Sequence, residues 1–453
     1  MAVLSLFTGA GGLDWGFHQA GFEVLSAIDI KPDAAYTYAQ NFPLEVRFAP
    51  VLTKGAYSVG DILKSRAGYE MEGRFALLVG GPPCQDFSVL RGVEEERQGA
   101  GTLRGKLYLH YARYLALAKP LAFVFENVPG LLSSRGGEDL RTVLEDLARL
   151  DQLPRRWREQ RRLDPERTPP PPEDLEREEG KIPRYRVVYR RVVDSSWHGV
   201  PQARKRLILI GFREDVPVGR EGVLFLEEAL SGSPALRKYP LSAMEALEGK
   251  VITDLEGVYR ELLLQYGEVF RGRGAVEDYL CLHGGSFGDP LFERALEEHA
   301  LVLKKMGWWG VSLTEAPPET FPDRTHFRAK ESEAVRRRMW AIPPGANHLA
   351  VAGTEHEVRG RGFSLVYRRL HPLRPAYTVV AHGGGGTWGY HYARHLSRLT
   401  NRERARLQGF PDGFAFRGKE REVRAQIGEA VPPLLSEAIA RTIGSLLPKS
   451  LKV

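Results

Sequence analysis

Short apolar runs, each closed by small or charged residues, recur through the first part of the chain. The run at 3–7 enters Thr8-Gly-Ala-Gly-Gly12, and the run at 24–28 ends at Asp29. The run at 75–79 enters Gly80-Gly-Pro-Pro-Cys-Gln-Asp-Phe-Ser88, and the run at 122–125 ends at Glu126-Asn127. A run of this length bounded by glycine, proline or a carboxylate has the form of a buried strand. Helix-compatible segments lie between the runs, at 13–20, 34–41 and 108–118. Strands alternating with helices predict an α/β fold with a doubly wound, mostly parallel sheet. Ligands of such a sheet sit beyond the carboxyl ends of its strands. All four polar clusters then converge on one crevice.

Further along, the pattern at 137–150 is amphipathic and predicts a helix. The stretch 151–183 holds Pro169-Pro-Pro-Pro172 and dense mixed charge, and is expected to be an exposed loop. Strands at 186–193 and 206–212 return to the sheet. From 214 to 397 the texture changes to a glycine-rich loop at 383–386, scattered aromatics such as Trp308, Trp309, Trp340 and Trp388, and little regular periodicity. This region reads as a second, smaller, irregular domain. Thr400 with Glu403 three residues later predicts a capped helix within 399–414. The tail ends in an apolar helix at 434–447. No internal repeats are present.

Composition narrows the function classes. A length of 453 residues suits two structural units, and 43% apolar with 27% charged residues describes a soluble globular chain. The apolar N-terminal run is too short for a membrane span and has no basic flank, so it is expected to be a strand and not a signal peptide. Two cysteines, Cys84 and Cys281, supply neither a disulfide framework nor a cysteine-based zinc site, and a cytoplasmic location is expected. A net charge of +7 suits a polyanionic partner. The excess of arginine over lysine fits a GC-rich genome, or a preference for planar contacts to phosphate and guanine.

The polar clusters carry distinct chemistry. Glycines leaving a strand let the backbone approach a cofactor, and an acid about twenty residues on, here Asp29, binds ribose hydroxyls. Asp61, in Val59-Gly-Asp-Ile62, ends a third element and adds weight to a nucleoside-bearing cofactor. Cys84 sits on a turn narrowed by Pro82 and Pro83, where it is either a nucleophile or a small buried hydrophobe. Glu126 beside it either handles protons or is simply salt-bridged. Gln202, Arg204 and Arg206 alternate with Ala203 and Lys205, which on a strand puts all three on one face. That row is plain solvent-facing charge or, aimed into the crevice, a clamp for a planar substrate or for the Glu126 carboxylate.

Taken together these residues resemble the cytosine-5 DNA methyltransferases, S-adenosylmethionine-dependent enzymes of bacterial restriction-modification systems. The resemblance is carried by Phe7-Thr-Gly-Ala-Gly-Gly12, Pro82-Pro-Cys-Gln85 with Phe87-Ser88, Glu126-Asn127-Val128 and Gln202-x-Arg204-x-Arg206. It continues through Arg369-Leu370 with Pro375 and Thr378, Arg398-Leu-Thr-Asn-Arg-Glu-Arg-Ala-Arg-Leu-Gln-Gly-Phe-Pro411 and Gly428-x-Ala-Val-Pro432. The ordered set spans nearly all the chain outside the central variable region.

The resemblance implies a Rossmann-like catalytic domain at 1–213 completed by 425–453, a DNA-recognition domain at 214–397, and a connection at 398–424. It implies that Cys84 adds to carbon 6 of cytosine, making carbon 5 nucleophilic toward the methyl group of S-adenosylmethionine. Glu126 would act at ring nitrogen 3, Arg204 would hold the base and that carboxylate, Arg206 would support the surrounding loop, and Gln202 completes the group. Phe7, Asp29 and Asp61 would contact adenine, ribose and the exocyclic amine. Thr8, Gly9, Gly11, Gly12, Ile30, Ile62, Pro83, Leu107 and Glu429 complete the implied cofactor set. The partner implied is double-stranded DNA with the target base flipped out, bound by a monomer, with a cognate restriction endonuclease in the same system. Residues 85–104 resemble the family's mobile catalytic loop. One departure is Glu429, in Gly428-Glu-Ala-Val431, where the family carries asparagine. Competing readings are a non-catalytic DNA-binding relative, a methylase of tRNA cytosine, and a nicotinamide dehydrogenase resting on the glycine cluster alone.

Overall fold

The structure is a computed structural model that describes residues 1–49, 51–67, 73–83, 107–163, 165, 168, 170–231, 240–266, 290–321, 323–328, 330–358, 366–381, 389–393, 396 and 398–448. The chain forms two compact units. One comprises Met1–Val193, Lys205–Leu236 and Ser436–Val453, and the other Asp194–Arg204 and Arg237–Leu435.

The first unit is built on an eight-stranded sheet. Its strands are β1 (Ala2–Leu6), β2 (Glu23–Asp29), β3 (Glu45–Arg47), β4 (Ala56–Val59), β5 (Leu77–Gly80), β6 (Ala122–Asn127), β7 (Tyr185–Asp194) and β8 (Lys205–Arg213). They lie in the order β3-β4-β2-β1-β5-β6-β8-β7. The pairs from β3 through β6 are parallel, and β8 runs antiparallel to β6 with Ile208 opposite Glu126. This is the expected doubly wound, mostly parallel α/β sheet. The winding reverses at β1, between β2 and β5. In doubly wound sheets such a reversal is where ligands bind, beyond the carboxyl ends of the strands.

Helices cover the sheet: α1 (Gly12–Gln19), α2 (Pro32–Asn41), α3 (Leu107–Ala118) and α4 (Glu138–Ala148) in the connections. Every residue of α3 from Tyr108 to Ala118 is buried. A helix apolar on one side only could not be enclosed in this way, so something must cover its outer surface.

That cover is the stretch expected to be an exposed loop, and the expectation is overturned. Residues 151–183 hold helix α5 (Leu153–Leu163) and helix α6 (Glu173–Arg177). Leu153, Trp157, Leu175 and Ile182 enter the same core as α3. Arg113 of α3 donates to Asp174 Oδ1 at 3.0 Å, and Lys119 Nζ to Glu178 at 2.9 Å. Proline and charge dominate the composition. Four widely spaced apolar side chains decide the packing.

The second unit also has more regular structure than its sequence suggests, including helices Ala243–Glu248, Pro290–Lys305 and Glu333–Ala341. Helix α7 (Asn401–Gln408) follows the expected capping box, with Thr400 Oγ1 accepting from Glu403 N and Glu403 accepting from Thr400 N. Helix α8 (Glu420–Glu429) comes next. The expected C-terminal apolar helix is α9 (Pro433–Leu446), and its Ser436 hydroxyl donates to Leu13 O within the first unit.

Candidate active site

The glycine turn after β1 is held open by left-handed backbone. Phe7, Gly9 and Gly11 have φ of 55°, 55° and 92°. At Gly11 a Cβ would stand 2.6 Å from the Phe42 ring and 2.9 Å from that of Tyr38, so only glycine fits. Gly12 starts α1, and Thr8 is buried, its hydroxyl donating to Ser5 O at 3.2 Å. A Cβ built on Gly9 meets nothing within 4 Å, so the outer side of the turn is clear.

Asp29, at the end of β2, locks this turn to its neighbour. Its two carboxylate oxygens accept from Gly9 N and Lys31 N, both at 2.9 Å. Tyr57, on β4, donates its hydroxyl to Gly9 O at 2.9 Å. Ile30 is 61% exposed beside these groups. Asp61 Oδ1 accepts from Leu63 N at 3.0 Å and caps a short turn of helix at Ile62–Lys64, in which Ile62 is buried. The carboxylates Asp29 and Asp61 thus stand at the ends of β2 and β4.

On the other side of the reversal, β5 delivers Gly81-Pro82-Pro83 beside the end of β6. A Cβ on residue 81 would stand 2.5 Å from Glu126 Oε2, so any larger residue there would displace the carboxylate from this position. Asn127 Nδ2 donates to Pro82 O at 3.3 Å, tying the turn to β6. Glu126 Oε1 pairs with Arg206 Nε at 2.9 Å, and both side chains keep 13% of their surface exposed. Glu126 Oε2 has no hydrogen-bond partner among the described residues and faces the bare Cα of Gly81. The described chain stops at Pro83, so Cys84, Cys281 and the 85–104 loop lie outside the described residues. Leu107 is the half-buried first residue of α3.

The row Gln202, Arg204, Arg206 does not lie on one face, because the strand that would carry it is interrupted at Arg204. Gln202–Ala203 pairs with Ala376–Tyr377, and β8 begins only at Lys205. Gln202 Nε2 donates to Leu407 O at 3.2 Å, while its Oε1 accepts from Val379 N at 2.6 Å. Arg204 donates to Val379 O at 3.0 Å and to Gly428 O at 2.9 Å. Both are buried in the second unit. The arginine paired with Glu126 among the described residues is therefore Arg206, whereas the resemblance implied Arg204. Glu429 is the exposed last residue of α8.

Sequence reasoning missed the layer beneath the glycine turn: Ser5, Asp14, Tyr38 and Tyr57. A signal was available. Ser5 interrupts an otherwise apolar strand, and Asp14 falls on the buried side of α1, where a lone carboxylate needs partners. Among the described residues no cluster of His, Cys, Asp and Glu could hold a metal ion, and no helix is long and apolar enough to cross a membrane.

Residues 1–152 and 329–445 match the family described as C-5 cytosine-specific DNA methylase. The chain is 41% identical to the DNA (cytosine-5-)-methyltransferase M.ApeKI of Aeropyrum pernix, with 98% of each chain covered. It is 28% identical to the type II methyltransferase M.NgoFVII of Neisseria gonorrhoeae, covering 98% of this chain and 86% of that one. A solved E. coli prophage protein described as a DNA modification methyltransferase shares the fold, with a TM-score of 0.54, 20% identity, and 98% and 99% of the two chains covered.

Proposed function

Because the chain belongs to the C-5 cytosine-specific DNA methylases and is a DNA (cytosine-5-)-methyltransferase, we propose that it works on a cytosine flipped out of double-stranded DNA, through a covalent bond to Cys84. The observation that carries this reading is Glu126, held at 2.9 Å by Arg206 with its other oxygen facing Gly81. Gly81 is three residues before Cys84 in sequence, which supports pairing this carboxylate with that thiol in the reaction.

Cytosine carbon 5 becomes nucleophilic only when ring aromaticity is broken. Cys84 as thiolate adds to carbon 6, and the electron pair moves to carbon 5. Glu126, carrying a proton on Oε2, donates it to ring nitrogen 3 and so neutralises the negative charge that develops there, a contribution of about 10²–10⁴ in rate. Arg206 fixes the rotamer of that carboxylate, as positioning demands. Arg204 and Gln202 hold the backbone at Val379, Leu407 and Gly428 together within the second unit.

S-adenosylmethionine supplies an electrophilic methyl group when bound. The residues that fit it are the open glycine turn Thr8-Gly9-Ala10-Gly11, Asp29 and Asp61 at the strand ends, and exposed Ile30 as an apolar contact for adenine. Phe7, Gly12, Ile62, Pro83 and Leu107 border the same strand ends. Glu429 belongs to the proposed cofactor set by resemblance alone. The region 214–397 is proposed to read the DNA, with 1–213 and 425–453 catalytic, and 398–424 connecting them. Relatives named as type II methyltransferases support a restriction-modification system with a cognate endonuclease; a cytoplasmic location is proposed with it, since the reading needs access to the host DNA.

Methylation mapping of DNA from an expressing host identifies the target site. DNA carrying 5-fluorocytosine there blocks the elimination that releases enzyme. Wild type with cofactor is expected to form a denaturation-resistant adduct mapping to Cys84, and Cys84→Ser to form none while still binding DNA. An adduct at Cys281, or one persisting in Cys84→Ser, would overturn the assignment. Glu126→Gln is expected to keep some turnover.

A further inference from the structure

Asp14 lies fully buried in the first turn of α1, one layer below the glycine turn. Its carboxylate accepts from Ser5 Oγ of β1 at 2.6 Å and from Tyr38 OH of α2 at 2.8 Å. Ser5 Oγ in turn accepts from Thr8 Oγ1 at 3.0 Å, and Thr8 is the first polar residue of the turn. Tyr38 stacks on Phe42 at 4.1 Å, and these are the two rings against which Gly11 is pressed. One carboxylate therefore ties down both ends of the turn, Thr8 through Ser5 and Gly11 through Tyr38.

An acid in the first turn of a helix commonly does no more than favour the helix dipole. Asp14 is placed differently. Both of its oxygens are committed to side chains of neighbouring elements, and none of its surface is exposed. An isolated buried carboxylate is costly, and a neutral residue would fill the space at lower cost unless the ionised acceptor has a use.

We propose that Asp14 is a positioning residue for S-adenosylmethionine: its ionised carboxylate holds Ser5 and Tyr38, and through them the shape of the Thr8–Gly11 turn that receives the cofactor. The proposal rests on the cofactor reading above. An ionised carboxylate only accepts, so it satisfies two hydroxyl donors at once. Once protonated it must donate, and either Ser5 or Tyr38 has to turn around. Ser5 already receives the Thr8 hydroxyl, so its reversal passes directly to the turn.

Burial pushes the Asp14 carboxyl up to about 6, opposed by the two hydroxyl donors. Burial holds the hydroxyls of Tyr38 and Tyr57 well above their usual range, with Asp14 reinforcing this at Tyr38 and Asp29, Asp14 and Asp33 reinforcing it at Tyr57. His18, exposed in the last turn of α1 one turn beyond Asp14, contacts the rings of Phe42 and Trp15. The competent, ionised state is thus populated above pH about 6 and lost below it.

The test is calorimetric titration of the full-length protein with S-adenosylhomocysteine from pH 5 to 8, together with steady-state methylation. Wild type is expected to bind about tenfold more weakly at the acid end, as one lost charge-assisted hydrogen bond implies. Asp14→Asn should bind about tenfold more weakly at pH 7.5 and show a flat pH profile. The loss should appear in KM for the cofactor, with kcat at saturation nearly unchanged. Tyr38→Phe should be weakened while keeping the pH dependence. Wild-type affinity in Asp14→Asn, or a wild-type pH profile in it, would overturn the proposal. If Asp14→Asn does not fold, Tyr38→Phe decides, and unchanged affinity there is fatal. A wild type that binds no S-adenosylhomocysteine at any pH would refute the cofactor reading itself.

Discussion

Helix α5 carries arginine at 155, 156, 158, 161 and 162, and helix α7 carries it at 402, 404 and 406. In α5 only Leu153, Pro154 and Trp157 are buried. Its arginines reach acids across the surface: Arg155 to Glu159 at 2.9 Å, Arg158 to Glu179 at 2.7 Å, Arg156 to Glu145 at 3.2 Å. In α7 all eight residues are buried. Arg402 donates to Thr325 Oγ1 at 2.9 Å and Phe414 O at 3.1 Å, pairs with Asp323, and lies over the Phe321 ring at 4.7 Å. Arg406 donates to Val311 O at 2.8 Å and Ala246 O at 3.0 Å, and pairs with Asp412. Arg404 packs against Gly389, and desolvation with the nearby Arg424 and Arg398 pushes its guanidinium down to about 9. In α7 the planar fork of donors joins several loop carbonyls that would otherwise be buried without partners. In α5 the same residue type mostly makes surface pairs, with Arg156 alone also reaching a buried carboxylate, Asp146, at 2.5 Å, while Leu153 and Trp157 anchor the helix.

The largest expected effect comes from excising 151–183. Read as an exposed loop, the segment could be shortened without harm. In the structure its removal uncovers the outer side of α3 and takes Leu153, Trp157, Leu175 and Ile182 out of the core. It also leaves buried Arg113 without Asp174. Expression of the excised chain should give insoluble or unfolded protein by circular dichroism. A soluble variant melting within a few degrees of wild type would return the segment to the status of a loop.

The next effect is at α7. Arg402→Leu leaves Asp323, whose side chain is 2% exposed, as an uncompensated buried charge, with an expected loss of about 3–5 kcal/mol in urea unfolding. Arg402→Lys should fall between this variant and wild type. It keeps the charge but not the planar fork that serves Thr325, Phe414 and Asp323 together. If both variants unfold like wild type, the buried arginines are not the connectors described above.

The contrast shows what the chain reveals before folding. The strands were legible, because runs apolar on both faces have few other uses. Asp29, Asp61 and Glu126 were legible as strand-end acids for the same reason. The capping box at Thr400 was legible because it is local. Whether an arginine is buried was not, since that depends on carbonyls far away in sequence, such as Ala246 O for Arg406. The same limit applies to Arg204 and Arg206. Period-two spacing is a local rule, and the break between the two strands is set by partners at 376–377 and in β6. The pair Leu153 and Trp157, four residues apart, did signal a buried helical face in α5, but proline and charge around it masked the signal.

The smallest expected effect is Arg158→Ala. Its guanidinium meets Glu179 at 2.7 Å and Glu176 at 3.4 Å, a geometry that resembles the ion pairs of α7 on paper. The side chains are 38%, 47% and 43% exposed, however, so water already solvates each charge before the pair forms. Bringing the charges together then gains little Coulomb energy, and three flexible side chains lose rotamer freedom. The expected loss is about 0.2–1 kcal/mol in urea unfolding, falling further in 1 M salt, where the screening length is about 3 Å. Arg402→Leu should change little with salt, because its charges are out of contact with solvent. A salt-insensitive loss above about 2 kcal/mol at Arg158 would mean that the α5–α6 surface is held as tightly as the interior of the second unit, and the distinction between the two helices would fail.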